Sequence, residues 1–395
     1  PQGTQLHGLA WPDLGLNAAF ALQALAFPVA PLGEALGGGW LALLVIALPV
    51  VAGAIVVARR SVGWRPVALA LGWWAAWSLR FDWLEDAPRA LYPAAVGVAL
   101  LWADAGTVPR RRRFAAIAAG VTALLCLVPA GWFVTGRLAL LDQVGDVMWD
   151  VVDLAKEDPP LLAVNLPARV TPPERLYPLG HEGVIPMPLP PRVDAGDLVA
   201  AHSGEPDAAF ERTWGPVLPS LPYRLNPLGE PLAPEDLVTA AQVALVEYDP
   251  DSMALRRAGS VGPATGEETV LARFGDGLLL LSAACTRTGD GAVILVTRWQ
   301  VEAPLDGYPT IFAHLLGPGG GLLAQADGDP LRGLYPFNQW GPDQVVEDVR
   351  TFEDAPREGE RVMLGVWDPT AGQRWPAVDA EGQSLSDDAF RCVLR

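Results

Sequence analysis

The pattern of apolar and polar positions changes character twice along the chain. Up to Arg137, long uncharged runs alternate with short charged breaks: residues 14–33, 40–58, 66–79, 90–103 and 114–136, the last of them the longest, behind the tetrad Arg110 to Arg113. The longer runs match the roughly 20 residues a helix needs to cross about 30 Å of hydrocarbon. Trp64, Trp73, Trp74, Trp77, Trp83 and Trp102 crowd the shorter runs and their ends, as interfacial belts do. This part therefore predicts four to five membrane spans. From residue 138 to about 158 an amphipathic stripe (Val144, Val147, Met148, Val151, Val152) predicts a helix leaving the membrane. Prolines then recur every few residues between Pro159 and Pro234, which excludes long helices and predicts short strands at 161–166 and 183–187.

From Ala240 onward short β-rich runs are separated by turns such as D-P-D-S, G-D-G and G-P-G-G-G. Alternation over residues 293–302 places Val293, Leu295, Thr297, Trp299 and Val301 on one face and Ile294, Val296, Arg298 and Gln300 on the other, the signature of a strand with one buried side. The predicted fold class is a multi-pass α-helical membrane region followed by an extracytoplasmic, mainly-β region, an antiparallel β-sandwich. Its three parts are 1–137, a Pro-rich region 138–238 and a sandwich 239–395. Arg59, Arg60 and Arg65 lie on one side of the predicted membrane and Arg110 to Arg113 on the same side two crossings later, so that side is cytoplasmic. The expected localisation is the cell membrane, with the lipid bilayer as first partner and the large C-terminal region outside.

Charge sharpens this division. Residues 1–137 carry net +4 and the remainder net −21, together the −17 of a chain that is 51% hydrophobic. So acidic a body repels nucleic acid, which removes that partner class. Cys126 lies in an apolar run, whereas Cys285 and Cys392 both lie in the acidic part; they form a disulfide there, or remain two buried thiols. The chain begins at Pro1 without a Met or a secretion signal, and an upstream portion is expected.

The four histidines have no ligand spacing, and hydrolase and dinucleotide signatures are absent, so neither a resident metal nor a cofactor is expected. The one concentration of charge beside apolar runs is the loop 80–89, with Arg80, Asp82, Glu85, Asp86 and Arg89. Its carboxylates suit a general base or a divalent cation, and its guanidinium groups suit phosphate oxygens. The alternative is a helix-capping loop whose charges pair with one another and with lipid headgroups.

The stretch A-P-R-A-L-Y-P-A-A-V-G-V-A-L-L-W-A, through Arg89, Leu91, Tyr92, Val96, Gly97, Ala99 and Leu100, resembles a motif of integral-membrane glycosyltransferases of the protein O-mannosyltransferase type, the GT-C superfamily. The resemblance implies a polyprenyl-phosphate sugar as donor, transfer on the outer membrane face, and Arg89 and Tyr92 as contacts to the donor phosphate. The family's catalytic acid lies in an N-terminal outward loop, and no acidic residue precedes Asp13 here. The chain is thus expected to be the C-terminal part of such an enzyme or a relative without catalysis. Residues around Trp299, Tyr308, Phe312, His314, Gln325, Asp327 and Trp340 are similar to the β-sandwich appended to membrane glycosyltransferase-like proteins of Chloroflexi-type bacteria. Tyr335, Trp340 and Asp343 are candidates for stacking on and hydrogen bonding to a sugar ring, because pyranose C–H faces suit aromatic planes and hydroxyls suit carboxylates. Two functional classes remain: a glycosyltransferase, or a non-enzymatic envelope protein whose sandwich binds glycan or a protein partner.

Overall fold

A computed structural model describes residues 63–78, 138–171, 193–215 and 224–394 except 250, 251, 290, 306 and 354, with isolated positions between 52 and 60 and residue 135. The first helix, α1 (Trp64–Ser78), has 15 residues and buries Val67 and Ala70. At 1.5 Å per residue it is about 22 Å long, short of the roughly 30 Å of a bilayer core.

The multi-pass membrane architecture is therefore corrected. Among the described residues no helix is long and apolar enough to cross a membrane, and the described fold is mainly β. The cell-membrane localisation falls with it. Apolar content and tryptophan were read as a span, yet a short uncharged run fits a packed helix equally well, and α1 carries a buried side of that kind. The runs 14–33, 90–103 and 114–136 lie outside the described residues, and of 40–58 only isolated positions are described.

The chain divides into two compact units, the second made of residues 143–168, 188–221 and 226–395. All that follows concerns this unit. It is entered through α2, a helix over residues 138–157. Val144, Val147, Met148, Val151, Val152 and Ala155 are buried while Trp149 stays 56% exposed, so the stripe read from the sequence is present but serves to pack the helix on protein.

Seventeen strands follow in the described residues. β1 (Leu161–Val164), β2 (Pro167–Thr171), α3 (Ala195–Ser203), β3 (Ala209–Thr213), β4 (Arg224–Pro227), β5 (Glu230–Pro231) and α4 (Pro234–Thr239) come from the Pro-rich region. Then come β6 (Gln242–Tyr248), β7 (Met253–Pro263), β8 (Ala272–Phe274), β9 (Leu278–Arg287), β10 (Val293–Val301), β11 (Thr310–Leu316) and β12 (Leu322–Gln325). The last are β13 (Gln344–Phe352), β14 (Arg361–Asp368), β15 (Gln373–Arg374), β16 (Ala377–Asp379) and β17 (Phe390–Val393).

Ten of these form one sheet in the order β16-β8-β9-β10-β13-β7-β6-β1-β3-β5, and a smaller sheet runs β12-β11-β14-β15 with β17 also on β14. β1 pairs in parallel with both β3 and β6, and β3 with β5, while the rest of the large sheet is antiparallel. The sandwich is thus fused to a parallel αβ end built by the Pro-rich region. The nine-residue helix α3 connects across that end, capped by Asp194, whose carboxylate accepts from the Asp197 amide at 2.7 Å. Parallel strands require a crossover longer than a hairpin, and the proline-punctuated segment supplies it.

The two sheets share one core. Val293, Leu295, Trp299 and Val301 of β10 meet Ile311, Ala313 and Leu315 of β11 and Val362, Leu364 and Val366 of β14. Each fully buried aliphatic or aromatic side chain there contributes about 1.5–3 kcal/mol. The alternation read over β10 is observed, with Val293, Leu295, Thr297, Trp299 and Val301 all at 0% exposure. Between β6 and β7 the ladder shifts register beside Gly259 (φ 138°), where a Cβ would run into the Glu347 carbonyl, so glycine is required for β7 to lie against β13.

Candidate functional site

Ligands of sheets with parallel strands commonly sit beyond the strands' carboxyl ends. Here that position is closed by the chain itself. Asn165, in a left-handed conformation after β1, donates from its amide to the Trp214 carbonyl at 2.9 Å and accepts from the Trp214 amide at 2.7 Å. The Tyr248 hydroxyl donates to the Asn165 carbonyl.

The open face of the large sheet offers more. At one end of it the Gln242 amide donates to the carbonyls of Leu154 and Asp158, anchoring α2. Ala244 and Val246 are buried there. Beyond β6 the face opens into a cleft of about 1150 Å³ over β7, β13 and β10. Cross-strand pairs Ile294↔Thr351 and Val296↔Val349 make an apolar floor, because residues opposite one another in an antiparallel ladder share a face. The rim carries four guanidinium groups: Arg256, Arg257, Arg287 and Arg357.

Their environments differ. Arg257 forms a 3.0 Å ion pair with Glu347, and Arg256 pairs with Glu353. Arg287 donates to the carbonyls of Gly291 (2.9 Å), Ala355 (3.2 Å), Pro356 (3.0 Å) and Gly359 (3.4 Å), so its donors tie the β9–β10 hairpin to the segment after β13. Arg357 is exposed and, among the described residues, has no ion pair. The two glutamates leave the rim with net positive charge in a chain of net −17. On α2, burial followed by the neighbouring Asp146 pushes the Asp150 carboxyl above its ordinary range, while Arg256 pulls the other way.

The residues singled out from the sequence fall elsewhere. Arg80, Asp82, Glu85, Asp86, Arg89 and Tyr92 lie outside the described residues. Tyr335 and Trp340 are each 2% exposed and their rings are stacked, with centroids 6.3 Å apart. Trp340 donates from Nε1 to the Tyr335 carbonyl at 2.9 Å, and the Tyr335 hydroxyl donates to Gln339 O and Gln344 Oε1. No ring face is left for a sugar, and sugar stacking on this pair is corrected to core packing; Asp343 beside them is exposed. Cys285 on β9 and Cys392 on β17 are joined as a disulfide, with Cα atoms 6.1 Å apart, linking the two sheets. His314, Gln325 and Asp327 do come together on the outer face of the small sheet, His314 Nε2 lying 3.2 Å from both Asp327 Oδ2 and Gln325 Nε2.

Sequence reasoning missed the four rim arginines, which are scattered between positions 256 and 357. One signal was available: R-R inside the strand run M-A-L-R-R-A places a charge on the outward face of a strand whose neighbours are apolar. No protein-family model, curated protein or solved structure matches the chain.

Proposed function

We propose that the β-sandwich is a binding module for an acidic glycan, held lengthwise across the cleft over β7, β13 and β10. The observation that carries this reading is the gathering of four guanidinium groups around an open apolar floor in a strongly acidic chain. A pyranose ring places its C–H face on Ile294, Val296 and Val349, and Thr288 and Thr351 meet its hydroxyls. Uronate carboxylates match the planar fork of Arg357 and compete with Glu353 and Glu347 for Arg256 and Arg257. The cleft is open and long, which suits a polymer segment better than an enclosed metabolite. The glycosyltransferase alternative rested on residues 80–92, outside the described residues, and gains no support from this geometry.

The test is isothermal titration of the full chain with an oligogalacturonate and with a neutral oligoglucoside of equal length. Binding of the acidic ligand alone is expected, weakening as salt rises because the rim is solvent-facing. Arg357→Glu should weaken it at least tenfold, about 1.4 kcal/mol. Equal affinity for the neutral ligand, or no binding of either, would refute the reading.

A further inference from the structure

The outer face of the small sheet holds a second recess, on the opposite side of the sandwich core from the cleft. Its volume is about 400 Å³, and Leu316, Met363, Arg361, Arg374, Asp387 and Arg391 line it. That volume is at the lower end of the roughly 300–1,000 Å³ of small-molecule sites.

Three arginines reach it from three different strands. Arg361 opens β14; Arg391 of β17 stands opposite Met363, diagonal to Arg361; Arg374 of β15 stands opposite Trp367. Two of them are held in place. Arg374 lies over the Phe312 ring at 4.6 Å and donates from Nη1 to the Asp387 carbonyl at 2.9 Å. Phe312 itself fits because Gly365 opposite it has no side chain to displace the ring. Arg391 donates from Nη2 to the Asp387 carboxylate at 2.7 Å. Asp387 has φ 63° and Asp388 φ 51°, so the loop is wound to turn both the carbonyl and the carboxylate of Asp387 towards the recess arginines.

Arg361 is different. Among the described residues its guanidinium has no hydrogen bond or ion pair, and its Nε is buried without a partner. A partly buried cation without a counterion is costly, and buried donors are nearly always satisfied. The recess carries three positive charges against the single carboxylate of Asp387.

We infer that this recess is a binding site for a tetrahedral oxyanion, phosphate or sulfate, with Arg361 as its principal donor and Arg374 and Arg391 as flanking donors. A single guanidinium fork satisfies a planar carboxylate, whereas donors converging from three strands match the three free oxygens of a phosphate or sulfate ester. The site is independent of the glycan cleft, since it uses neither its residues nor its sheet. Leu316 and Met363 supply apolar walls for whatever group bears the ester.

The full chain is titrated with inorganic phosphate, inorganic sulfate and glucose 6-phosphate, following the unfolding midpoint, which rises when a ligand binds only the folded state. A saturable rise with at least one of the three is expected. A larger response to glucose 6-phosphate than to phosphate identifies a sugar ester as the occupant, and equal responses identify the free anion. Arg361→Met, which keeps the aliphatic stem, should weaken the response at least tenfold, and Arg391→Met, at an exposed position, about threefold or more. Arg298→Met on the large sheet should leave it unchanged. No saturable response to any of the three anions, or responses in Arg361→Met and Arg391→Met equal to the unaltered chain, would overturn the inference. Should Arg361→Met not fold, Arg391→Met alone decides. Oligogalacturonate binding is read separately, so either site can fail without the other.

Discussion

Asp348→Asn is the substitution that most directly tests how the sandwich is held together. Asp348 and Arg350 sit two apart on β13, with side chains 1% and 7% exposed and Oδ2 to Nε at 2.7 Å. Asp348 Oδ1 also accepts from the Leu331 amide at 2.9 Å. Arg350 in turn donates to the carbonyls of Ile311 (3.3 Å), Ala326 (2.7 Å) and Gly328 (2.8 Å). The pair thus pins the turn at Leu331 and Arg332, both with positive φ, and the crossing from β12 into that turn. Asparagine preserves the shape and the acceptor for Leu331 but leaves the guanidinium buried without its counterion. Removing one partner of a buried ion pair costs about 3–5 kcal/mol; the three carbonyls retained by Arg350 put this case at the lower end, about 3 kcal/mol. Against a typical total of about 5–15 kcal/mol, that is a large loss. Urea denaturation followed by far-ultraviolet circular dichroism measures it through the midpoint and slope. The double variant Asp348→Leu with Arg350→Met removes both charges yet leaves three carbonyls without a donor, at about 1 kcal/mol or more each, so it should not recover full stability. A loss under about 1 kcal/mol for Asp348→Asn, or a double variant as stable as the unaltered chain, would refute the role assigned to this pair.

Other outcomes follow from the same geometry. Replacing Cys285 and Cys392 together by alanine removes a cross-link spanning 107 residues, and loop closure of that size is worth about 4–5 kcal/mol, seen as a lowered unfolding midpoint that reductant no longer changes. Arg287→Ala frees the carbonyls of Gly291, Ala355, Pro356 and Gly359; a loss of about 2–4 kcal/mol is expected by urea denaturation, and a neutral effect would show that water replaces it. Burial raises the Glu211 pKa above its ordinary 4.5, opposed by the Ala195 amide at 2.9 Å. The folded state then holds the extra proton, so stability falls as pH rises from 4.5 through the raised value. Glu211→Gln should therefore raise the unfolding midpoint at pH 7 and leave it unchanged below the ordinary value; a lower midpoint at pH 7 would contradict this. Glu268 runs the other way: amides of Thr265 and Gly266 hold its carboxyl at about 2. Its contribution is present above 4.5 and is lost as pH falls towards 2, so Glu268→Gln should flatten the acid limb of the stability profile.

What depends on local period and side-chain chemistry was legible in the chain alone. Strict alternation showed which side of β10 enters the core, the i, i+3, i+4 stripe located α2, and proline spacing limited the region 159–234 to short elements. The reading went astray where one local signal serves two environments. A short uncharged run reads alike as a membrane span or a packed helix, and tryptophan is as much at home in a core as at an interface. The same ambiguity gave Tyr335 and Trp340 to a sugar when their polar atoms were satisfied by near neighbours in the chain. The parallel end of the large sheet came from the tertiary fold, because β1 pairs with strands that begin at Ala209 and Gln242, far along the chain. Folding also gathered Arg256, Arg257, Arg287 and Arg357 on one rim and Arg361, Arg374 and Arg391 in one recess. Cross-strand neighbours are set by register and long-range pairing, which no window of sequence contains. Whether a charge is exposed, paired or orphaned is fixed only once the strands beside it are in place.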